Sequence, residues 1–183
     1  MRKFIYILLF SFIFIGCSKK IETQIPAYVS SIQNNKQNIF VDFKGVEDKR
    51  TTNIVSTIYN DNKKEAQYPL SNNVKIWYQE GFLRELKNRS IYDKKSNIYV
   101  NINIKKLEAK YKKFSLDKKN MQVNIHLELI IKKAKTTITS NININQTKYK
   151  AIVLDADGFE DILKEAMFDS IVKTTNVLIE KLK

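Results

Sequence analysis

Three stretches of the chain alternate between apolar and polar positions. Ile98, Val100, Ile102 and Ile104 are interleaved with Tyr99, Asn101 and Asn103. Met121, Val123, Ile125, Leu127, Leu129 and Ile131 are interleaved with Gln122, Asn124, His126 and Glu128. Ile138, Ile142 and Ile144 alternate with Thr137, Thr139, Asn141 and Asn143. A period of two with one apolar face predicts antiparallel strands, packed on one side and wet on the other. Polar stretches at 117–120 and 133–135 read as their connections. Two shorter β-rich runs come earlier: Ile39–Phe43, ending at Gly45, and Ile54–Tyr59, closed by the turn signal Asn60-Asp61-Asn62. Residues 46–53 between them read as a polar loop.

Elsewhere the period becomes helical. Val74, Tyr78, Phe82 and Leu86 stand four apart, flanked by Trp77 and Gly81, and predict a helix over about 72–89. Pro69 stops the preceding segment, and Ser71 or Asn72 supplies the cap. Glu85 falls close to the stripe and interrupts it. Gly81 gives up about 1 kcal/mol of helix propensity relative to Ala, and it permits close approach to the sheet. A second, longer helix runs over about 158–182, capped by Asp157, with a broad apolar stripe from Phe159 to Leu178. Beside that stripe lies another row: Phe168, Val172, Thr175 and Ile179. It either completes burial under the N-terminal segment or offers a partner an apolar strip. The strand faces and helix stripes need each other. The expected fold is α+β: a mostly antiparallel sheet of about five strands with two helices packed on one face.

The N-terminus follows different rules. Met1, Arg2 and Lys3 are followed by a run from Phe4 to Ile15 that is apolar apart from Tyr6 and Ser11. Twelve helical residues span roughly 18 Å, too little for a hydrocarbon core of about 30 Å, so the run reads as a signal peptide. It ends in Phe14-Ile15-Gly16-Cys17, which resembles the lipobox of bacterial lipoproteins. That resemblance implies cleavage between Gly16 and Cys17 and attachment of fatty acyl chains such as palmitate to Cys17. Two or three chains hold a protein firmly on a bilayer. Ser18 follows instead of Asp; by the enterobacterial sorting rule this implies the outer membrane, facing the periplasm, with the inner membrane as the alternative. Residues 1–16 are therefore expected to be the signal, 17–37 a lipidated, flexible tether, and 38–183 a single domain. Ile21, Ile25, Tyr28 and Ile32 give the tether side chains that can dock.

Composition bounds the rest. Cys17 is the only cysteine, so disulfides within the chain are impossible and the core alone must stabilise the domain. The formal net charge is +13, and it falls by two when Arg2 and Lys3 leave with the signal. The lysines are scattered along the chain and are not gathered on one recognition helix, so nucleic acid is set aside as a partner. Anionic lipid headgroups or acidic wall polymers remain compatible with the charge.

Nothing announces a reaction. The single His126 has no second metal ligand at suitable spacing, and it reads as a solvent-facing bystander. Asp155-Ala156-Asp157-Gly158 lacks the further ligands of a calcium loop. Four glycines leave little room for phosphate-cradling loops. Asp48 and Arg50 suit an ion pair or a contact to a small anion, with pairing favoured. No cofactor, metal or catalytic residue is expected.

Val41-Asp42-Phe43, leading through Gly45 to Asp48-Lys49-Arg50-Thr51, is similar to the strand followed by D-x-R-T in the YajG family of small bacterial lipoproteins. Tyr78-Gln79-Glu80 and the stretch from Leu107 to Tyr111 fit the family as well. Arg89-Ser90-Ile91-Tyr92 departs from it, lacking the family's glycine. The resemblance implies an outer-membrane lipoprotein of uncharacterised function. By architecture alone, the domain also resembles auxiliary lipoproteins of lipid-transport systems. The expected role is a non-enzymatic binding or scaffolding module that meets another envelope component. The alternative is an accessory of lipid or lipopolysaccharide transport. Asp48, Arg50, Phe168, Val172 and Ile179 are the candidate contacts.

Overall fold

The computed structural model describes residues 24–30, 38–113, 119–150 and 157–183. The expectations for Gly16, Cys17 and Asp155, and for the capping side chain of Asp157, fall outside the described residues. The elements run in the order β1 (Asp42–Asp48), β2 (Ile54–Asn60), β3 (Lys63–Pro69), α1 (Val74–Asn88), β4 (Ile98–Lys113), β5 (Lys119–Lys133), β6 (Thr136–Lys150) and α2 (Asp157–Leu182).

β4 is the axis of a six-stranded sheet ordered β3-β2-β4-β5-β6, with β1 also on β4. β4, β5 and β6 form the antiparallel meander that their alternation predicts. The other edge of β4 is shared by two strands that both run parallel to it. β1 pairs with Tyr99–Ile104 and β2 with Ala109–Lys113. Where one hands over to the other, Lys49 N–H donates to the Ile104 carbonyl at 2.9 Å. A bulge in β4 at Lys105 falls at the same level. It shifts the inward set from Val100, Ile102 and Ile104 to Leu107 and Ala109, which are all buried. The alternation breaks there, which is why the sequence pattern stops at Ile104 while the strand continues.

The sheet has six strands where the pattern predicted about five. The additional one is β3, Lys-Lys-Glu-Ala-Gln-Tyr-Pro, which carries no apolar alternation because it is a largely exposed edge. Asp61 and Asn62 have φ of 45° and 66°, the left-handed pair that a tight hairpin turn requires. The turn signal after β2 thus reverses the chain into a partner strand. β1 also extends further than expected, through Val46 to Asp48. Gly45, with φ 141°, forms a bulge and does not end the strand. The cap of α1 is Asn73, whose side chain accepts from Ile76 N–H at 3.1 Å.

α2 packs on β5 and β6, α1 packs on β1, and the two helices touch each other. The core they enclose includes Tyr78, Phe82 and Leu86 of α1, the inward rows of β4 and β5, and Ile162, Leu163, Met167 and Ile171 of α2. Buried polar groups on α2 are satisfied locally. Ser170 donates to the Met167 carbonyl and Thr174 to that of Ser170, each at 2.7 Å. Among the described residues no helix is long and apolar enough to cross a membrane.

Candidate functional site

Of the segment expected to tether the domain, residues 24–30 lie along α1 and reach α2 as a strap. Ile25 and Tyr28 are buried at 1% and 3% exposure, as deep as the core itself. Burying two such side chains contributes roughly 1.5–3 kcal/mol each. The polar backbone of the strap is met by side chains from α1 and the residue before its cap. Asn72 exchanges two hydrogen bonds with Ile25: its Oδ1 accepts from Ile25 N–H at 2.7 Å, and its Nδ2 donates to the Ile25 carbonyl at 3.1 Å. Trp77 Nε1 donates to the Pro26 carbonyl at 2.9 Å, and Arg84 Nη1 to the Tyr28 carbonyl at 2.5 Å. These groups form a built seat, because an unpaired backbone group at that depth is costly.

Gly81 lies directly beneath. A Cβ there would stand 2.5 Å from Ile171 Cδ1 and 3.2 Å from Tyr28 Cβ. The close approach this glycine permits is therefore to the strap and to α2, where the sequence suggested the sheet.

At the floor of the seat, Glu85 is fully buried and engaged on both oxygens. Tyr28 OH donates to Oε2 and Arg89 Nε to Oε1, both at 2.6 Å. Arg89 Nη1 continues to Asn176 Oδ1 of α2 at 2.7 Å. One carboxylate thus joins the strap, α1 and α2. Burial first, then the hydrogen bond to Glu85, raises the Tyr28 hydroxyl well above the ordinary tyrosine range. Pairwise spacing did not reveal this function of Glu85. The available signal was an acid inside an apolar stripe with an arginine four residues on.

The second row of α2 divides between two environments. Phe168 meets Tyr28 edge-to-face with centroids 5.0 Å apart and Trp77 at 5.8 Å, so the strap and α1 cover part of it. Ile179 is buried at 6% exposure. Val172 is half-buried and, with Phe168, Val29 and Lys148, lines an open groove of about 560 Å³ between strap, α2 and β6.

Asp48 and Arg50 occupy a separate place, at the break between β1 and β2. Arg50 Nε donates to Asp48 Oδ1 at 2.8 Å and Nη2 to Oδ2 at 2.7 Å, a two-pronged fork. The guanidinium holds the Asp48 carboxyl below its ordinary range against partial burial. Arg50 borders a cleft of about 430 Å³ that Thr51, Thr57, Gln67, Lys106 and His126 also line. Its charges are largely matched: Lys106 and Lys110 flank Glu108 at 3.0 and 2.9 Å. His126 contacts Asn141 Oδ1 at 3.1 Å. Among the described residues no group of three His, Cys, Asp or Glu could hold a metal ion. The structure does not bring Asp48 and Arg50 together with Phe168, Val172 or Ile179.

A lipoprotein-type sequence, a six-stranded sheet and two helices define the class. The chain belongs to a family of uncharacterised lipoproteins, the YajG family, whose model matches residues 25–175. The match takes in the strap from Ile25 onward. A search of curated proteins found no match. Among solved structures, protein XCC0632 from Xanthomonas campestris, of family DUF330, superposes with a TM-score of 0.59 at 8% identity, covering 85% of this chain and 94% of its own. Another, described as an uncharacterised protein, gives 0.49 at 10% identity over 87% of this chain and 99% of its own. The first likeness concerns the fold alone.

Proposed function

We propose that the chain is an envelope lipoprotein held by acyl chains on Cys17. Its domain serves as a non-enzymatic binding or scaffolding module, facing the periplasm from the outer membrane. Family membership supports the lipoprotein half of this reading. The observation that carries the rest is the strap. A spacer needs no seat, yet this segment places Ile25 and Tyr28 in the core and so shortens the chain between the domain and its point of attachment. On the side of β5 and β6 away from their buried rows, Asn124, His126, Asn141 and Asn143 are offered to another envelope component. The matched charges around the β1–β2 cleft support a binding role over acid–base catalysis.

Cell fractionation, intact-mass analysis and in-envelope crosslinking test the proposal. Wild-type protein is expected to sediment with membranes and to carry acyl mass on Cys17, and Cys17→Ala to remain soluble. An unmodified thiol would overturn the anchor. A photoreactive residue in place of Asn141 or Asn143 is expected to capture a neighbour; failure from every position on that face would remove the module role. Lipid retained in native mass spectrometry would turn the reading towards the transport accessory.

A further inference from the structure

The end of the sheet at the β2–β3 hairpin has an unusual last rung. Across β3, β2, β4, β5 and β6, the paired residues are Lys63, Asn60, Lys113, Lys119 and Lys150. The rung before it reads Lys64, Tyr59, Lys112, Asn120 and Tyr149. These positions hold six lysines and no acid; among the described residues the adjoining acids are Asp61 in the turn and Glu65 on β3. Lys63 and Lys64 are exposed, and Tyr149 is 76% exposed.

The opposite end carries Lys132, Lys133 and Lys135, so charge alone does not choose between the two ends. Chain length does. The strap enters beside Asn72, shortly after Pro69. Pro69 pairs with Ile54, and Ser56 with Ala109, which sets the entry level near Leu107 of β4. From there the six residues to Lys113 span about 20 Å, and the nine residues back to Ile98 about 30 Å. The eight steps from Cys17 to Ile25 extend at most about 29 Å. A lipid on Cys17 reaches the hairpin end with slack to spare and the other only with the chain drawn out to its limit.

We propose that the lysine-bearing hairpin end of the sheet lies against the anionic headgroups of the bilayer that holds Cys17. This rests on the anchoring reading above. Each lysine near such a surface strengthens the contact about fivefold, and an exposed tyrosine suits the interfacial zone.

The test uses the full lipidated chain reconstituted into vesicles of phosphatidylcholine with or without phosphatidylglycerol. A fluorophore is placed by Tyr149→Cys or, at the opposite end, Tyr99→Cys, and quenched by spin-labelled headgroups. Strong quenching at position 149 and weak quenching at 99, with the contrast enlarged by phosphatidylglycerol and reduced by high salt, is the expected result. Combined Lys63→Gln, Lys64→Gln, Lys112→Gln and Lys150→Gln should lower quenching at 149 at least threefold while the protein still floats with the vesicles. Equal quenching at the two ends, or indifference to phosphatidylglycerol, overturns the inference and leaves the anchor standing. Failure to float at all overturns both. If the four-lysine variant keeps its quenching yet loses affinity for soluble polyphosphate, the end is a polyanion site and the bilayer proposal falls.

Discussion

The molecule holds two arginine–carboxylate pairs in contrasting surroundings. Glu85 and Arg89 lie within the core, and their bonds reach Tyr28 on one side and Asn176 on the other. Asp48 and Arg50 form a better fork by geometry, but Asp48 keeps 28% of its side-chain exposure and the pair answers mainly to itself. The same chemistry thus serves two purposes. At the rim it closes a local turn where β1 gives way to β2. In the core it fastens three pieces of chain that are far apart in sequence, and water cannot replace a missing partner there. The strap is therefore part of the folded domain, and the strength of its fastening is open to measurement.

The largest effect should come from Glu85→Ala, which leaves Arg89 and Tyr28 buried without their shared acceptor. A loss of about 3–5 kcal/mol is expected, a fall of roughly 6–20 °C in Tm for a domain of this size. Thermal melting reads the loss, and hydrogen exchange should show the Ile25 amide, which donates to Asn72, losing protection first.

Tyr28→Phe keeps the ring against Phe168 and removes one donor to Glu85, so about 1–3 kcal/mol is expected. It also tests a pH dependence. The folded state raises the pKa of Tyr28, so its contribution is complete below the unfolded value near 10 and is lost as pH rises above it. Melting between pH 9 and pH 11 should show an alkaline loss in the wild type that is smaller in the variant.

Gly81→Ala gains about 1 kcal/mol of helix propensity but drives a Cβ into Ile171 and Tyr28, at about 1–3 kcal/mol. A net loss of roughly 1 kcal/mol in denaturant unfolding is expected. A gain would show that the strap and α2 can move apart at little cost.

Asp48→Asn should cost the least, at most about 1 kcal/mol. Its pH signature has the opposite sign to that of Tyr28. The folded pKa is lowered, so the contribution is present above the unfolded value near 4 and disappears as pH falls through the folded value. The difference in Tm between wild type and variant should close as pH drops below about 4. An effect at pH 7 as large as that of Glu85→Ala would erase the contrast between the two pairs.

Several features were legible in the sequence. The alternation of Met121–Ile131 identified a central strand wet on one side, and the stripe of Val74, Tyr78, Phe82 and Leu86 identified α1. Other features were legible only in part. Ile25 and Tyr28 stood out as apolar residues in a polar segment, but nothing in that segment shows that Asn72, Trp77 and Arg84 meet its backbone. β3 has no pattern of its own because an exposed edge strand places no alternating demand on its side chains. Asn60-Asp61-Asn62 announced a turn, but not the strand beyond it.

Periodicity in the sequence determined the meander, the two helices and the α+β class, because burial repeats with the local geometry of strand or helix. The apolar run, Gly16 and Cys17 set the expectation of a lipid anchor in the same local way. The parallel placement of β1 and β2 on one edge of β4 was decided only in the tertiary structure. So was the role of Glu85 as a clasp between strap and helices. Residues 47 to 87 apart in sequence meet in those contacts, and no local period records them. Their partners are chosen by what packs and what must be hydrogen-bonded once water is excluded.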